Sequence, residues 1–241
     1  MAVRLRQKLT IIVLLLYWPA IFVLAHIPSG RVIGWFFQSQ MSDKAIHYLG
    51  YLILVFLLWF AISPNKRVNW RRRTVWWGLF VVFWYGVFDE WLQGYVGRNC
   101  DVMDFFADLA GSLTGLILLS IFLFWPACLL VTSGVIFILT NLLQASASGG
   151  LGVINTVFHL LAYAFFTLLW IQYLHHLLPL KLGQPKWLIG VLTPPTAFLL
   201  ATESFSLIAG NGFSLENIIV SLAAIALVAA AFYFTAPSHE H

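Results

Sequence analysis

Apolar residues form eight long runs along the chain, and short polar segments separate these runs. The runs cover residues 9–26, 45–62, 74–93, 104–124, 127–144, 156–174, 187–206 and 216–235. A helix needs roughly 20 mostly apolar residues to cross a bilayer. The pattern therefore predicts an all-α, polytopic membrane protein of about eight transmembrane helices.

The composition excludes most other classes of protein. Hydrophobic residues make up 61% of the chain and charged residues only 9%, whereas a soluble domain has about 25% charged residues. The net charge of +4 does not indicate a nucleic-acid partner, because the basic residues lie between the apolar runs and form no basic-aromatic patch. Two cysteines are also too few for a disulfide framework.

The sequence contains no motif that specifies a cofactor. It has no HExxH, paired CxxC, P-loop or GxGxxG pattern, so we predict no cofactor and assign no metal ligands. A cluster of Asp, Glu and His side chains is able to bind a divalent cation through oxygen ligands, but the spacing of these residues does not require one.

Lysine and arginine are distributed unevenly between the two ends of the predicted helices. With the N-terminus inside the cell, ten of them face the cytoplasm and three face outward, which is a strong positive-inside signal. The ten are Arg4, Arg6, Lys8, Lys66, Arg67, Arg71, Arg72, Arg73, Lys181 and Lys186, and the three are Arg31, Lys44 and Arg98. This distribution predicts a cell inner-membrane protein with cytoplasmic N- and C-termini.

The acidic residues have the opposite distribution. All of them except Glu240 lie near the outward ends of the predicted helices. Acidic residues contribute little to membrane orientation, so topology alone does not explain the clustering. It indicates a polar site at the outer face.

A polar motif occurs once in each half of the chain. His47 and Tyr51 of the first half recur as His159 and Tyr163 in the second half, where most of the neighbouring charged positions are neutral. The repetition predicts two four-helix repeats related by an axis along the membrane normal. The predicted domains are 1–125, which carries the polar site, and 126–241, a degenerate repeat that serves as a scaffold.

The fourth run carries two acids and two glycines on one helical stripe. Asp104, Asp108, Gly111 and Gly115 follow one another at steps of four, three and four residues, so they share a face. The glycines permit a second helix to come close. Like charges one turn apart repel, so the pattern requires a basic partner, a bound cation or a shared proton.

Three predicted helices supply the candidate site. The candidate catalytic residues are His47, Glu90, Asp104 and Asp108, and the candidate substrate-binding residues are Asp43, Lys44, Gln93 and Arg98. Ionisable residues inside a membrane are costly and commonly functional. Histidine and carboxylates carry acid–base chemistry, and lysine and arginine bind phosphate or carboxylate groups.

Structural roles compete with these assignments. Asp101 and Asp104 lie in a first helical turn, where an acid caps the helix. Glu90 is also explained by a structural ion pair with Arg98 or Lys44. Asp89 lies about 100° around the helix from Glu90, which predicts a position at the membrane interface.

Taken together, the motifs resemble those of the VanZ-like family of membrane proteins over about residues 10–124. The motifs are Asp43-Lys44-x-x-His47-x-x-x-Tyr51, Gly86-x-x-Asp89-Glu90-x-x-Gln93, Arg98, and Asp101-x-x-Asp104-x-x-x-Asp108-x-x-Gly111-x-x-x-Gly115. The resemblance implies a role in the cell envelope and a link to low-level resistance to the glycopeptide antibiotic teicoplanin. The tandem arrangement departs from the single-unit pattern of that family.

Three functions fit these observations. The first is an envelope protein that binds an amphiphile, a membrane lipid or a lipid-linked cell-wall intermediate at its outward-facing site. The second is a membrane-embedded enzyme that uses acid–base or metal-assisted chemistry on a lipid-linked substrate. The third is a proton-coupled transporter, which the sequence favours least because its polar residues do not continue to the cytoplasmic side.

The predicted orientation can be tested on the two cysteines. Cys100 follows Arg98 in a predicted outer connection, and Cys128 lies near the cytoplasmic end of the fifth run. We expect a membrane-impermeant thiol reagent to label intact cells at Cys100. A Cys100→Ser variant should lose this label and a Cys128→Ser variant should keep it. Labelling only after the cytoplasmic side is opened would contradict the predicted topology.

Overall fold

The fold is all-α, as the sequence predicts. The computed structural model describes residues 2–26, 43–96, 101–145, 152–178, 184–212 and 214–235, and these contain eight α-helices and no strand. The helices are α1 (Ala2–His26), α2 (Asp43–Ile62), α3 (Arg73–Gln93), α4 (Val102–Ile121), α5 (Phe124–Ala145), α6 (Gly152–Leu177), α7 (Pro185–Ile208) and α8 (Leu215–Thr235).

Six of these helices are long and apolar enough to cross a membrane, which is consistent with a polytopic membrane protein. They are α2, α4, α5, α6, α7 and α8. The apolar part of α1 is shorter, at Gln7–Val23. Helix α3 is less apolar because it carries several tryptophans and has Asp89 and Glu90 in its last two turns.

The chain divides into two compact units, Met1–Ala127 and Cys128–His241. The connection between α4 and α5 consists of Phe122 and Leu123 alone. Pro126 lies in the first turn of α5. Proline is tolerated there because the first backbone N–H groups of a helix have no partner within the helix.

In the first unit, glycines let α4 lie directly against the backbone of α2. A Cβ atom added to Gly111 would overlap with the carbonyl oxygen of Tyr48 and would lie 3.2 Å from the backbone nitrogen of Leu52. A Cβ atom on Gly115 would lie 3.2 Å from Cγ1 of Val55. The close helix contact predicted from the glycine stripe is therefore confirmed.

Helix α1 covers the other side of this pair. The Tyr17 hydroxyl donates to the carbonyl oxygen of Gly50 in α2 at 3.0 Å. The ring of Trp18 meets the ring of Tyr85 in α3 edge-on, with 5.4 Å between centroids. Tyr85 in turn stacks on Tyr51 of α2. These contacts pack the middle of α1 against α2 and α3.

The second unit packs around a buried aromatic and aliphatic core. Tyr163 of α6 and Leu199 of α7 are fully buried, and Ile225 of α8 is almost so. Near the other end of α6, Trp187 and Ile171 form a second buried cluster. The second unit therefore has its own core.

Because Gly111 contacts the backbone of α2, adding a single methyl group at this position should lower the stability of the fold. Because Gly111→Ala forces α2 and α4 apart, we expect it to lower stability by on the order of 1–3 kcal/mol, together with folded yield. The measurement is thermal melting in detergent. Gly78→Ala is the matched control, since nothing lies within 4 Å of its added Cβ and alanine favours a helix by about 0.5–1 kcal/mol over glycine. Equal melting temperatures for the two variants would contradict the packing argument.

Candidate functional site

The polar ends of three helices meet at one end of the first unit. Helix α2 begins at Asp43, α3 ends at Gln93 and α4 begins at Val102. Because successive helices run in opposite directions, the start of α2, the end of α3 and the start of α4 lie together. We call this end of the unit the site end.

Four buried ionisable side chains converge at the site end. His47, Asp89, Glu90 and Asp108 are each at most 7% exposed, and each offers one ligand atom within 4.8 Å of the others. We call these four residues the carboxylate–histidine cluster. It is the one such group of His, Cys, Asp and Glu found in the described part of the chain.

Helices α2 and α4 place the histidine and one carboxylate directly opposite each other. Nδ1 of His47 lies 3.0 Å from Oδ1 of Asp108. Asp108 lies three residues before Gly111, and His47 is next to Tyr48, whose backbone Gly111 contacts. The glycine contact therefore sets the distance across which this pair forms.

Glu90 connects α3 to the start of α4. Its Oε2 atom accepts a hydrogen bond from the backbone N–H of Asp101 at 3.1 Å. The structural role that competes for Glu90 is an ion pair with Arg98 or Lys44. Lys44 lies instead beside Asp101 and Asp104.

Lys44 neutralises the outer edge of the site end. Its Nζ atom lies 2.8 Å from Oδ2 of Asp101 and 3.5 Å from Oδ1 of Asp104. Of the three partners that the two acids of α4 were predicted to require, a basic residue is therefore found, because Lys44 lies beside Asp104. Asp104 is 3% exposed, whereas the Lys44 side chain is 48% exposed. The pair therefore joins a half-exposed ammonium group to a buried acid.

Asp101 is the N-cap of α4, as its position predicts. Its Oδ1 atom accepts a hydrogen bond from the backbone N–H of Met103 at 2.9 Å. The ammonium group of Lys44 and this N–H hold the pKa of the Asp101 carboxyl below its usual value. Asp101 is therefore an anion at neutral pH, and its negative charge offsets much of the positive charge of Lys44.

The expected interfacial position of Asp89 is wrong. Asp89 is only 2% exposed and belongs to the carboxylate–histidine cluster. Its Oδ2 atom accepts from Nε2 of Gln93 at 3.2 Å, and its Oδ1 atom lies 3.8 Å from Nδ1 of His26 in α1. Helix α1 buries the face of α3 that we assigned to the interface. The sequence features that could have indicated this burial are two adjacent acids, Asp89 and Glu90, near the end of one apolar helix and a histidine, His26, at the end of another.

The remaining predicted site residues have different outcomes. Gln93 is fully buried and reaches the cluster through Asp89. Asp43 is the first residue of α2, but its side chain is outside the described part of the structure. Arg98 is also outside the described residues.

The second unit also buries a histidine, a tyrosine and an acid. Nδ1 of His159 lies 3.2 Å from the hydroxyl of Ser221. The carboxylate of Glu203 accepts hydrogen bonds from Nε2 of Gln144 at 2.9 and 3.0 Å. The Tyr163 hydroxyl is 2.8 Å from that of Thr202. An amide thus pairs with the acid of this group, and hydroxyls pair with its histidine and its tyrosine.

A cavity of about 640 Å³ lies at the opposite end of the first unit. The loop between α2 and α3 lines it and carries Lys66, Arg67, Arg71 and Arg72. This basic loop belongs to the set of residues that predicts the cytoplasmic side. The cavity is therefore separate from the carboxylate–histidine cluster.

The evidence on function comes from the site itself. No family model, curated protein or solved structure matches this chain. The fold and the site define an all-helical, membrane-type protein with buried ionisable residues at one end of its first unit. Such residues can transfer protons or hold a cation.

The contrast between the units predicts opposite responses to neutralising one acid. We expect Glu90→Gln to leave the melting temperature unchanged or raise it, because the substitution relieves repulsion from Asp89 and Asp108. We expect Glu203→Gln to cost about 1 kcal/mol, because it weakens hydrogen bonds to an ionised acceptor. The measurement is thermal melting in detergent with a chelator present. A larger loss for Glu90→Gln than for Glu203→Gln would show that Glu90 chiefly stabilises the fold.

Proposed function

We propose that this chain is a VanZ-like protein of the cell inner membrane that acts on the polar head of an amphiphile or lipid-linked cell-wall component. The observation that carries the proposal is the burial of four ionisable side chains at one helical end of a membrane-type fold. Burial of such groups is costly in a membrane and commonly marks a functional site. A purely structural helix contact does not need them.

The orientation in this proposal follows from the lysine and arginine distribution. The basic α2–α3 loop is assigned to the cytoplasm, so the site end belongs to the outer leaflet. Lipid-linked cell-wall intermediates present their head groups there. A role in the envelope and a link to teicoplanin resistance are the expectations that the motif resemblance adds.

The second unit is proposed to be a degenerate internal repeat. His159 with Ser221 corresponds to His47 with Asp108, each pair joining two helices through a histidine Nδ1 atom. The second pair has no carboxylate. The proposed division of labour therefore gives the chemistry to the first unit and a scaffolding role to the second.

Enzymatic action is the better supported form of this proposal. An imidazole hydrogen-bonded to a buried carboxylate is an arrangement that supports general acid–base catalysis, because the carboxylate orients the ring. His47 would exchange a proton with the substrate, Asp108 would orient the ring, and Glu90 and Asp104 would complete the acidic surroundings. Asp89 belongs to the same group of buried acids.

The second form of the proposal is binding of the lipid head group without a reaction. The ion pairs of Lys44 make this form less favourable. Lys44 was assigned to an anionic head group, yet its ammonium already lies beside Asp101 and Asp104. A phosphate would have to compete with two carboxylates for that charge. Binding of a lipid head group by Lys44 alone is therefore weak, and Gln93, Asp43 and Arg98 would have to contribute.

The proposal predicts that charge matters in the first unit and not in the second. Asp104→Asn keeps the size and polarity of the side chain and gives this position the residue found at Asn217. We expect it to preserve folding but to abolish complementation of an envelope defect, measured as growth under teicoplanin. Glu90→Gln and Arg98→Ala should also abolish complementation.

Asn217→Ala is the matched control in the second unit, and we expect a mild effect from it. Protein level and melting temperature in detergent separate loss of function from loss of fold. Equal loss of complementation from Asn217→Ala and Asp104→Asn at equal protein levels would overturn the division of labour. Unfolding of Asp104→Asn as severe as that of a Gly111→Leu variant would make the carboxylate structural.

A further inference from the structure

The ligand atoms of the carboxylate–histidine cluster are spaced for one metal ion. They lie within 4.8 Å of one another. Ligands on opposite sides of an ion at 2.0–2.6 Å are about 4.0–5.2 Å apart, so a single ion can reach all four. We propose that His47, Asp89, Glu90 and Asp108 form a divalent-cation site.

Two buried oxygen atoms give independent evidence for a missing positive partner. Among the described residues, neither Oε1 of Glu90 nor Oδ2 of Asp108 has a hydrogen-bond donor. Glu90 is 5% exposed and Asp108 is 2% exposed, so bulk water does not solvate them. Buried polar atoms are nearly always paired, and both of these belong to residues that face the same small space.

Among the described residues, the charges at the site end also favour a cation. Three of the four cluster residues are acids, and repulsion between carboxylates is strong in a low-dielectric interior. The ammonium of Lys44 lies instead beside Asp101 and Asp104, and the imidazole of His26 is 3.8 Å from Asp89. A divalent ion would neutralise most of the excess negative charge.

The second unit has neutral side chains around its buried acid and histidine. In sequence, Thr202 precedes Glu203 as Asp89 precedes Glu90, so a neutral residue stands where the first unit has a second carboxylate. The amide of Gln144 donates to Glu203, and Ser221 partners His159. The second unit therefore holds one buried acid beside an amide donor, where the first unit gathers three acids.

The donor set defines the class of ion. One imidazole nitrogen and three carboxylate oxygens suit Mn²⁺, Fe²⁺ or Zn²⁺, since imidazole selects transition metals and carboxylates suit harder ions. An ion held here presents positive charge to a phosphate group, which an acidic cluster otherwise repels. The site would therefore take a phosphate or pyrophosphate head group on a lipid.

This role for the ion rests on the proposed function, although its binding does not. With an ion present, His47 and Asp108 are metal ligands and not a proton-transferring pair. Asp104 lies outside the cluster, beside Lys44. It is then the buried acid available to exchange a proton with the substrate or with a metal-bound water molecule.

The experiment is metal binding by the full chain in detergent. The protein is stripped with a chelator, and Mn²⁺ is added while the free ion is followed by electron paramagnetic resonance, with Zn²⁺ as a competitor. We expect saturation at about one Mn²⁺ per chain, a higher melting temperature with the ion, and displacement by Zn²⁺. We expect Asp89→Asn and Glu90→Gln to weaken binding at least about tenfold.

Two acids outside the cluster supply matched controls. Asp101→Asn removes an exposed acid of the first unit, and Glu203→Gln removes the buried acid of the second, so both should bind Mn²⁺ like the wild type. Thermal melting in the presence of a chelator checks that each variant is folded. If Asp89→Asn does not fold, Glu90→Gln alone tests the loss of binding. Absence of saturable binding of either ion by the wild type, or equal binding by both cluster variants, would overturn the site.

Binding and function can fail separately. If the wild type binds no ion while Asp104→Asn still abolishes complementation, the cation site is wrong and the acid–base form of the function stands. If the ion binds as expected while Asp89→Asn and Asp104→Asn both complement normally, the cation site stands and the proposed function is wrong.

Discussion

The backbone contact between α2 and α4 at Gly111 is the constraint on which the site end depends. No side chain fits between this glycine and the carbonyl oxygen of Tyr48, so the two helices are fixed at the smallest separation available to them. That separation sets His47 and Asp108 3.0 Å apart. It also excludes water, because both residues are almost completely buried. Tight packing and buried charge are thus consequences of the same stripe.

Burial has different consequences in the two units because their neighbouring residues differ. In the first unit, acids from α3 and α4 face one histidine, and repulsion must be offset by protons or by a cation. In the second unit, Gln144 donates to Glu203 and Ser221 bonds His159. Hydrogen bonds to buried polar groups stabilise a fold. Among the described residues, the acidic cluster of the first unit keeps unpaired acceptors on Glu90 and Asp108, which are available to bind a proton or a cation.

Local patterns in the sequence predicted much of this arrangement. The spacing of Asp104, Asp108 and Gly111 gave the shared helical face, and a first-turn position gave the N-cap role of Asp101. Asp89 was misplaced because helical periodicity describes one helix at a time and cannot say that α1 covers a second face of α3. The Gln144–Glu203 bond joins residues 59 positions apart, so no local spacing indicates it. Long-range packing supplied what periodicity could not.

The most direct test replaces the acids of the first unit with the residues that the second unit carries. In the triple variant Asp89→Thr, Asp104→Asn and Asp108→Ser, the glycine contact is retained and the buried negative charge is largely removed. Melting in chelator and envelope complementation are measured on the same protein. We expect the triple variant to melt at or above the temperature of the wild type and to lose complementation. A variant that melts well below the wild type, or that still complements, would contradict it.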